Sequence, residues 1–306
     1  MDISGKKVIV TGGAGFIGSH VVRELLLRGC RVTVIDNLLT GKKERLHPQA
    51  DFQEKDIRSF EDIAPLFSGA DIVFHIAALP RVQPSIQDPR TTHDINVTGT
   101  LNVLLAARDA KVKRVVYSAS SSAYGNQEEL PLQEEMEPRP LSPYALQKLQ
   151  GEMLCKLFSG IYSLPTVSLR YFNVYGPGAN TEGAYALVIG RFLEQRKKGE
   201  KLTVVPDGKQ SRDFTHVYDI VRANILAAES EKVGRGEVIN TGGGNNKTVL
   251  EIAELIGGPY EFIEPRLEPK HTLAGISKAK ELLGWEPRVD FKEGILELKK
   301  LYGLEE

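Results

Sequence analysis

The sequence predicts an α/β protein: a parallel sheet wound by helices on both faces, followed by a smaller carboxyl-terminal α/β lobe. Three observations predict it. First, Val8-Ile-Val-Thr-Gly-Gly-Ala-Gly-Phe-Ile-Gly18 runs a β-branched strand into glycines spaced Gly12-x-x-Gly15-x-x-Gly18. Helical spacing follows at once through Phe16, Ile17, Val21, Val22, Leu25 and Leu26. Second, Arg31-Val-Thr-Val-Ile-Asp36 is a strand pattern ending in a carboxylate about 20 residues after that loop. Third, strand and helix patterns alternate as far as Arg170, and successive parallel strands require such crossovers.

Together, the loop and Asp36 form the dinucleotide fingerprint of a Rossmann-type doubly wound sheet. Gly12 allows the turn, Gly15 presents no Cβ to a pyrophosphate, and Gly18 lets the helix lie close to the sheet. The free N–H groups at the helix start face the phosphates. Asp36 takes the ribose hydroxyls and repels a 2′-phosphate, so the expected cofactor is NAD rather than NADP.

The remaining elements follow in order. Segment 37–48 mixes Gly, Lys, Arg and Asn and reads as a surface loop flanking the adenosine. Asp51-Phe-Gln is a short third strand. Ala70 to Ala78 is a buried fourth strand, with small residues at its end where a cofactor passes. His75 within it reads as a packed core histidine, since no carboxylate stands in a recognisable orienting position. Pro80, Pro84 and Pro89 are expected to exclude helix until Thr91. From there Ile95, Val97, Leu101, Leu104 and Leu105 form a long amphipathic stripe.

Lys113 to Ala119 is the fifth strand, running into Ser120-Ser121-Ser122. Residues 126–140 are acidic and proline-rich, a loop too polar for the core. Ser142-Pro143-Tyr144 supplies an N-cap and a proline at the first helical position. The helix continues through Leu146, Leu149, Met153, Leu154 and Leu157. Pro165 to Arg170 is the sixth strand, and 171–184, with Gly176, Pro177, Gly178 and Gly183, reads as a crossing between lobes. A helix over 185–198 and a strand over 201–205 come next. Helix 218–229 and strand 237–240 return to the first lobe, and helices over 249–256, 277–283 and 291–301 complete the second. The expected division is residues 1–170 with returning segments 214–242 for NAD, and 171–213 with 243–306 for the substrate.

Composition sets bounds on this picture. Among 306 residues, 39 Lys and Arg nearly cancel 40 Asp and Glu, so no global field recruits nucleic acid or an anionic membrane. Cys30 and Cys155 form no C-x-x-C pair and read as structural residues of a reducing compartment. No signal core and no run of about 18 apolar residues is present. The expectation is a soluble cytoplasmic protein without nucleic-acid or membrane partners and without a metal site.

Tyr144-Ala-Leu-Gln-Lys148 sets a phenol and an ammonium four residues apart, on one helical face. A tyrosine of ordinary pKa near 10 is a poor base, but the lysine, the helix N-terminus and an oxidised nicotinamide each favour its phenolate. Ser120 or Ser121, at the end of the fifth strand, can hydrogen-bond the same substrate hydroxyl.

These features resemble the extended short-chain dehydrogenase/reductase family, and within it nucleotide-sugar 4-epimerases of the UDP-galactose 4-epimerase type. The resemblance covers nearly the whole chain. It rests on Thr11 to Gly18, Asp36-Asn37, Asp56-Ile57, Ala77-Ala78, Asn96, Ser120, and Tyr144 with Lys148. It continues through Arg170-Tyr-Phe-Asn173-Val-Tyr-Gly-Pro177, Asp207-Gly, Arg212-Asp-Phe-Thr-His-Val, Ser277-Lys-Ala and Leu283-Gly-Trp285. It implies that Gly12, Gly15, Phe16, Ile17, Gly18, Asp36, Asn37, Asp56, Ile57, Ala77, Asn96, Tyr144 and Lys148 bind NAD, with Asp56 on the adenine. It assigns the substrate diphosphate to Asn173, the nucleotide phosphates to Arg212 and a second phosphate role to Arg266. Guanidinium suits phosphate, which it grips bidentately.

By the same resemblance, Tyr144 takes the proton of the sugar 4-hydroxyl while hydride passes from C4 to NAD. The 4-keto sugar rotates about its diphosphate tether and takes the hydride back on its other face. Two departures stand out: Arg266-Leu-Glu268-Pro is one residue shorter than the family's segment, and Gly275 replaces a usual aspartate. Thr272 occupies the position that gates the sugar 2-substituent, where a tyrosine would exclude an N-acetyl group. UDP-GlcNAc and UDP-GalNAc are therefore expected beside UDP-Glc and UDP-Gal.

The serine run lacks the Thr-Asp-Glu of 4,6-dehydratases. A UDP-glucuronate 4-epimerase or decarboxylase is the alternative, with Arg81 facing the carboxylate. An NAD-sensing protein on the same fold is the non-enzyme alternative, against which the retained Ser, Tyr and Lys argue. The stripes over 91–108 and 144–158 are expected to pair in a homodimer.

Overall fold

The computed structural model describes residues 1–80, 82–181, 188–244, 246–264 and 271–304. The first half alternates β1 (Lys7–Thr11), α1 (Phe16–Leu27), β2 (Arg31–Asp36), β3 (Asp51–Glu54), α2 (Phe60–Ile63) and β4 (Ile72–His75). It continues with α3 (Val82–Gln87), α4 (Pro89–His93), α5 (Gly99–Asp109), β5 (Arg114–Ser120), α6 (Pro143–Tyr162) and β6 (Thr166–Tyr171). The second half holds β7 (Val174–Tyr175), α7 (Val188–Lys197), β8 (Leu202–Val204), β9 (Ser211–Asp213), β10 (Thr215–His216), α8 (Val217–Glu229) and β11 (Arg235–Thr241). It ends with β12 (Asn246–Thr248), α9 (Val249–Ile256), β13 (Tyr260–Phe262), α10 (Ser277–Leu283) and α11 (Phe291–Leu301).

Seven strands form one parallel sheet in the order β11-β6-β5-β4-β1-β2-β3. The order reverses between β1 and β4, which opens the crevice where such sheets take ligands. The register of Thr11 opposite both Ile35 and His75 brings the ends of β1, β2 and β4 to that crevice. Val21, Leu25, Ile220 and Trp285 cover one face of the sheet, from α1, α8 and the turn after α10. Val103, Leu104, Cys155 and Phe158 cover the other, from α5 and α6. Each such side chain, fully buried, contributes roughly 1.5–3 kcal/mol of transfer free energy.

A separate core joins Phe192 of α7, Leu202 of β8, Phe214, Ile252 of α9, and Ile295 and Leu298 of α11. The strands here pair only in twos, β10 with β7, β12 with β9 and β13 with β8. Helix α8 and strand β11 belong to the large sheet's layers, so the chain leaves the first core after β6 and comes back to it. No helix among the described residues is long and apolar enough to cross a membrane.

Three expectations need correction. Helices α3 and α4 form before Thr91 despite the prolines. Pro84 sits in the first turn of α3 and Pro89 is the first residue of α4, where a missing N–H costs nothing. Asp88 caps α4 by accepting from Thr91 N at 3.0 Å. The stripe expected from Thr91 is broken by a wide π turn over Asp94–Thr98 before α5 begins. Segment 126–140 is not wholly surface: Leu132 is buried and bridges Ala274, its N–H donating to the Leu273 carbonyl at 2.7 Å. The start of the helix expected at Tyr185, with Gly183, lies outside the described residues, as do Arg81 and Arg266.

Candidate active site

The glycine loop is built as its spacing requires. Gly12 has φ +75°, and a Cβ there would sit 2.6 Å from the Ala77 nitrogen. A Cβ on Gly18 would collide with the Gly12 carbonyl oxygen, so α1 can approach the loop only with glycine at this position. At Gly15 the sole neighbour is the Gly12 oxygen at 3.1 Å, leaving the outer side open for a phosphate. Gly15 is also the N-cap of α1, and no side chain caps it. The first N–H groups, over Phe16, Ile17 and Gly18, are therefore disposed for an anion. This cradle fits a dinucleotide pyrophosphate.

Asp36 is buried at the end of β2, accepting from Ala14 N at 3.0 Å and Leu38 N at 2.8 Å. Burial pushes its carboxyl up. Two N–H bonds leave lone pairs for ribose hydroxyls. Asp56 is gripped by the Arg58 guanidinium and by Asn37 Nδ2 at 2.8 Å, and Arg58 holds its carboxyl down to about 2. Ile57 is buried beside it. Ala77 N donates to Thr11 Oγ1, which fixes the end of β4 against the glycine loop.

Asn96 ties that segment to α6. Its Nδ2 donates to Leu79 O at 3.0 Å and to Gln147 Oε1 at 2.8 Å, while its Oδ1 accepts from Leu79 N. His75 is the core histidine expected. Thr100 Oγ1 donates to Asn96 O, so it accepts from His75 Nε2 at 2.9 Å, and His75 Nδ1 accepts from Thr11 Oγ1 at 2.7 Å. Burial pushes this imidazole down to about 3, and it stays neutral.

Helix α6 starts where the sequence says. Ser142 Oγ accepts from Ala145 N, Pro143 is the first helical residue, and Tyr144 N donates to Ser85 Oγ at 3.0 Å. One turn on, Lys148 is buried with Nζ donating to the Ser118 carbonyl at 2.7 Å and lying 4.9 Å from the Tyr117 ring centre. Burial pushes this ammonium down to about 8, with Glu152 pulling the other way. Helix α6 packs on β5 and on the turn over 121–124 that follows it. Ser120 ends β5, its Oγ accepting from Ser122 N at 3.2 Å and Ser122 Oγ at 2.9 Å, while Ser121 opens the turn.

The second lobe brings three expected residues to one place. Asn173, with φ +28°, donates through Nδ2 to the Asp213 carbonyl at 2.9 Å. Arg212 precedes Asp213 on β9, with Nη1 donating to Ser211 O. Thr272 accepts at Oγ1 from Asp213 N at 3.2 Å. Where Gly275 replaces an aspartate, the Gln133 side chain fills the space: a Cβ there would meet Gln133 Cδ at 2.6 Å.

The sequence gives no sign of the ties that hold Pro177 and Gly178 to the first core's α1 and to the loop after β2. His20 Nε2 meets Pro177 O at 2.9 Å and Arg45 Nη2 donates to Gly178 O at 2.6 Å. His20 stands on α1 and Arg45 in the loop between β2 and β3, and neither contact is marked by local spacing. Asp213 was also missed, although its place beside Arg212 in a strand pattern puts it on the opposite, inward face.

Such geometry suits one class: an α/β enzyme that lays a dinucleotide across the carboxyl edge of its sheet. Residues 8–242 match the NAD dependent epimerase/dehydratase family. The chain belongs to that family, and NAD is its cofactor.

A putative UDP-glucose 4-epimerase of Methanocaldococcus jannaschii is 37% identical over 296 residues, covering 94% of this chain and 95% of the relative. A UDP-glucuronate 4-epimerase of Thermodesulfobacterium geofontis is 37% identical over 308 residues, covering 94% and 93%. The solved UDP-N-acetylglucosamine 4-epimerase of Methanobrevibacter ruminantium, in complex with UDP-N-acetylmuramic acid, superposes with a TM-score of 0.93 at 37% identity. That match covers 98% of each chain.

Proposed function

We propose that this chain interconverts UDP-hexoses at C4, UDP-Glc with UDP-Gal and UDP-GlcNAc with UDP-GalNAc. The observation that carries the reading is Lys148, buried against the Ser118 carbonyl one turn along α6 from Tyr144. A cation fixed there favours ionised phenol over neutral phenol, so Tyr144 removes the proton of the sugar 4-hydroxyl and later returns it. Bound NAD supplies the hydride acceptor and donor. Ser120 takes the hydrogen-bonding role rather than Ser121, because the two bonds it accepts from Ser122 leave its own proton for the substrate.

Asn173 and Arg212 hold the diphosphate, and Arg266, outside the described residues, is a further phosphate candidate. Residues 1–170 with 214–242 hold NAD, and 171–213 with 243–306 hold the nucleotide sugar. The acceptance of N-acetyl sugars rests on Thr272, whose small side chain turns its hydroxyl to Asp213 N. The two free buried cysteines fit a cytoplasmic site of action. A homodimer through α5 and α6 completes the reading.

The 37% identity to a UDP-glucuronate 4-epimerase makes UDP-glucuronate the second candidate. The test incubates purified protein, with and without added NAD, with the four UDP-hexoses and UDP-glucuronate, and separates the epimers by chromatography. Conversion of UDP-glucose is expected, and Tyr144→Phe is expected to lower kcat about 10²–10⁴-fold. Conversion of UDP-glucuronate alone, or a Tyr144→Phe variant near the wild-type rate, overturns the reading.

A further inference from the structure

Resting on that reading of the substrate, we propose that Asp213 is a positioning residue that fixes Asn173, Arg212 and Thr272 relative to one another. Asp213 is 0% exposed and touches the three through its own main chain. Its N–H donates to Thr272 Oγ1 at 3.2 Å, its carbonyl accepts from Asn173 Nδ2 at 2.9 Å, and Arg212 is its neighbour on β9.

The carboxylate then locks this residue to two further segments. Oδ1 accepts from Gly243 N at 2.6 Å, and Oδ2 accepts from Gly244 N at 3.2 Å and Ala274 N at 2.9 Å. The loop after β11 and the segment that carries Thr272 are thus pinned to the strand that carries Arg212.

The arrangement suits an ionised carboxylate: its three N–H bonds oppose the burial that pushes this carboxyl up to about 7. Three N–H donors converge on two oxygens, and a carboxylate accepts all three with no proton of its own to place. Asparagine would turn an N–H₂ toward a backbone N–H, leaving donors facing each other. The approach is close: a Cβ on Gly242 would lie 2.8 Å from Asp213 Oδ2, and one on Gly243 3.0 Å from Oδ1. The glycines let the chain wrap the carboxylate. Enclosed in this way and 0% exposed, Asp213 acts through the residues it holds.

The reacting end is separate. Ser120, Tyr144 and Lys148 sit on β5 and α6 and share no hydrogen bond with Asp213. Loosening Asp213 therefore weakens the grip on the nucleotide diphosphate and leaves the proton chemistry in place.

The test measures kcat and KM for UDP-glucose, calorimetric affinity for UDP, and NAD content, in wild type and Asp213→Asn. We expect KM and the UDP dissociation constant to rise about tenfold or more, kcat to change less than about threefold, and NAD content to stay unchanged. A KM and a UDP affinity within about twofold of wild type, or a fall in kcat as large as the rise in KM, overturns the assignment.

If Asp213→Asn does not fold, Thr272→Val decides. It removes only the acceptor of the Asp213 N–H, and about a threefold weaker UDP affinity is expected, with unchanged affinity counting against the assignment. A wild type that binds UDP but converts no UDP-hexose refutes the proposed reaction and leaves the Asp213 role to be judged on UDP affinity. A wild type that does not bind UDP overturns both.

Discussion

The Glu152 carboxylate holds the Arg170 guanidinium through two hydrogen bonds, 2.9 Å to Nε and 2.7 Å to Nη2, with each side chain 3% exposed. Glu152 lies one turn past Lys148 and two turns past Tyr144 on α6, so the same helical face carries the phenol, the ammonium and this pair. Arg170 also lies over the Tyr124 ring, 4.4 Å from its centre. Burial pushes the Glu152 carboxyl up while Arg170 draws it back. Glu152→Ala leaves a guanidinium buried without a counter-charge, and a loss of about 3–5 kcal/mol of stability is expected. Urea denaturation measures it, and an unchanged midpoint would show that the pair contributes nothing.

The glycine loop separates a folding requirement from a binding one. Gly18→Ala collides with the Gly12 carbonyl and is expected to lower both melting temperature and NAD content. Gly15→Ala meets only one oxygen at 3.1 Å and should melt close to wild type. It should nevertheless bind NAD about tenfold more weakly, because its methyl group occupies the phosphate's place. Equal losses of melting temperature in the two variants would argue against this division.

His75 gives a pH dependence with a definite sign. Its pKa is about 3 in the fold because of burial, against roughly 6.5 in an unfolded chain. As pH falls through that window, the unfolded state takes up the proton first. The native state then loses about 1.4 kcal/mol per pH unit from this one group. His75→Gln lacks that share, so the stability gap between wild type and variant should shrink as the pH falls from 6.5 to 4.5. A gap independent of pH would show that His75 is charged or exposed.

Helix α6 leaves Leu146, Met153, Leu157 and Ile161 from 46% to 64% exposed along one face. Apolar side chains repeated at helical spacing in contact with water suit a partner surface. With the proposed homodimer, Leu157→Glu should shift the mass measured by light scattering from dimer to monomer while leaving the circular dichroism spectrum intact. A wild-type protein of monomer mass at micromolar concentration would refute the dimer.

Much of the fold is legible in local spacing. The helices over 249–256, 277–283 and 291–301 have the bounds that their apolar periodicity predicts, and Ser142 with Pro143 starts α6 at the expected residue. Caps, turns and glycine conformations depend on neighbours within a few residues, which the sequence states directly. The early helices were hidden because a proline's effect depends on whether it falls in the first turn, and that in turn depends on where the helix begins.

By itself the sequence determined the parallel sheet, the conformation of the glycine loop, and the placing of Tyr144 and Lys148 one turn apart on α6, because each is written in periodicity or short spacing. Only the tertiary structure decided that Ala274 N and Gly243 N would meet the Asp213 carboxylate, and that Asn240 Nδ2 would reach the Leu132 carbonyl across 108 residues. Periodicity states which face of an element is buried. What that face meets follows from how the elements pack, and hydrogen-bond partners brought together by packing leave no mark in the spacing of either segment.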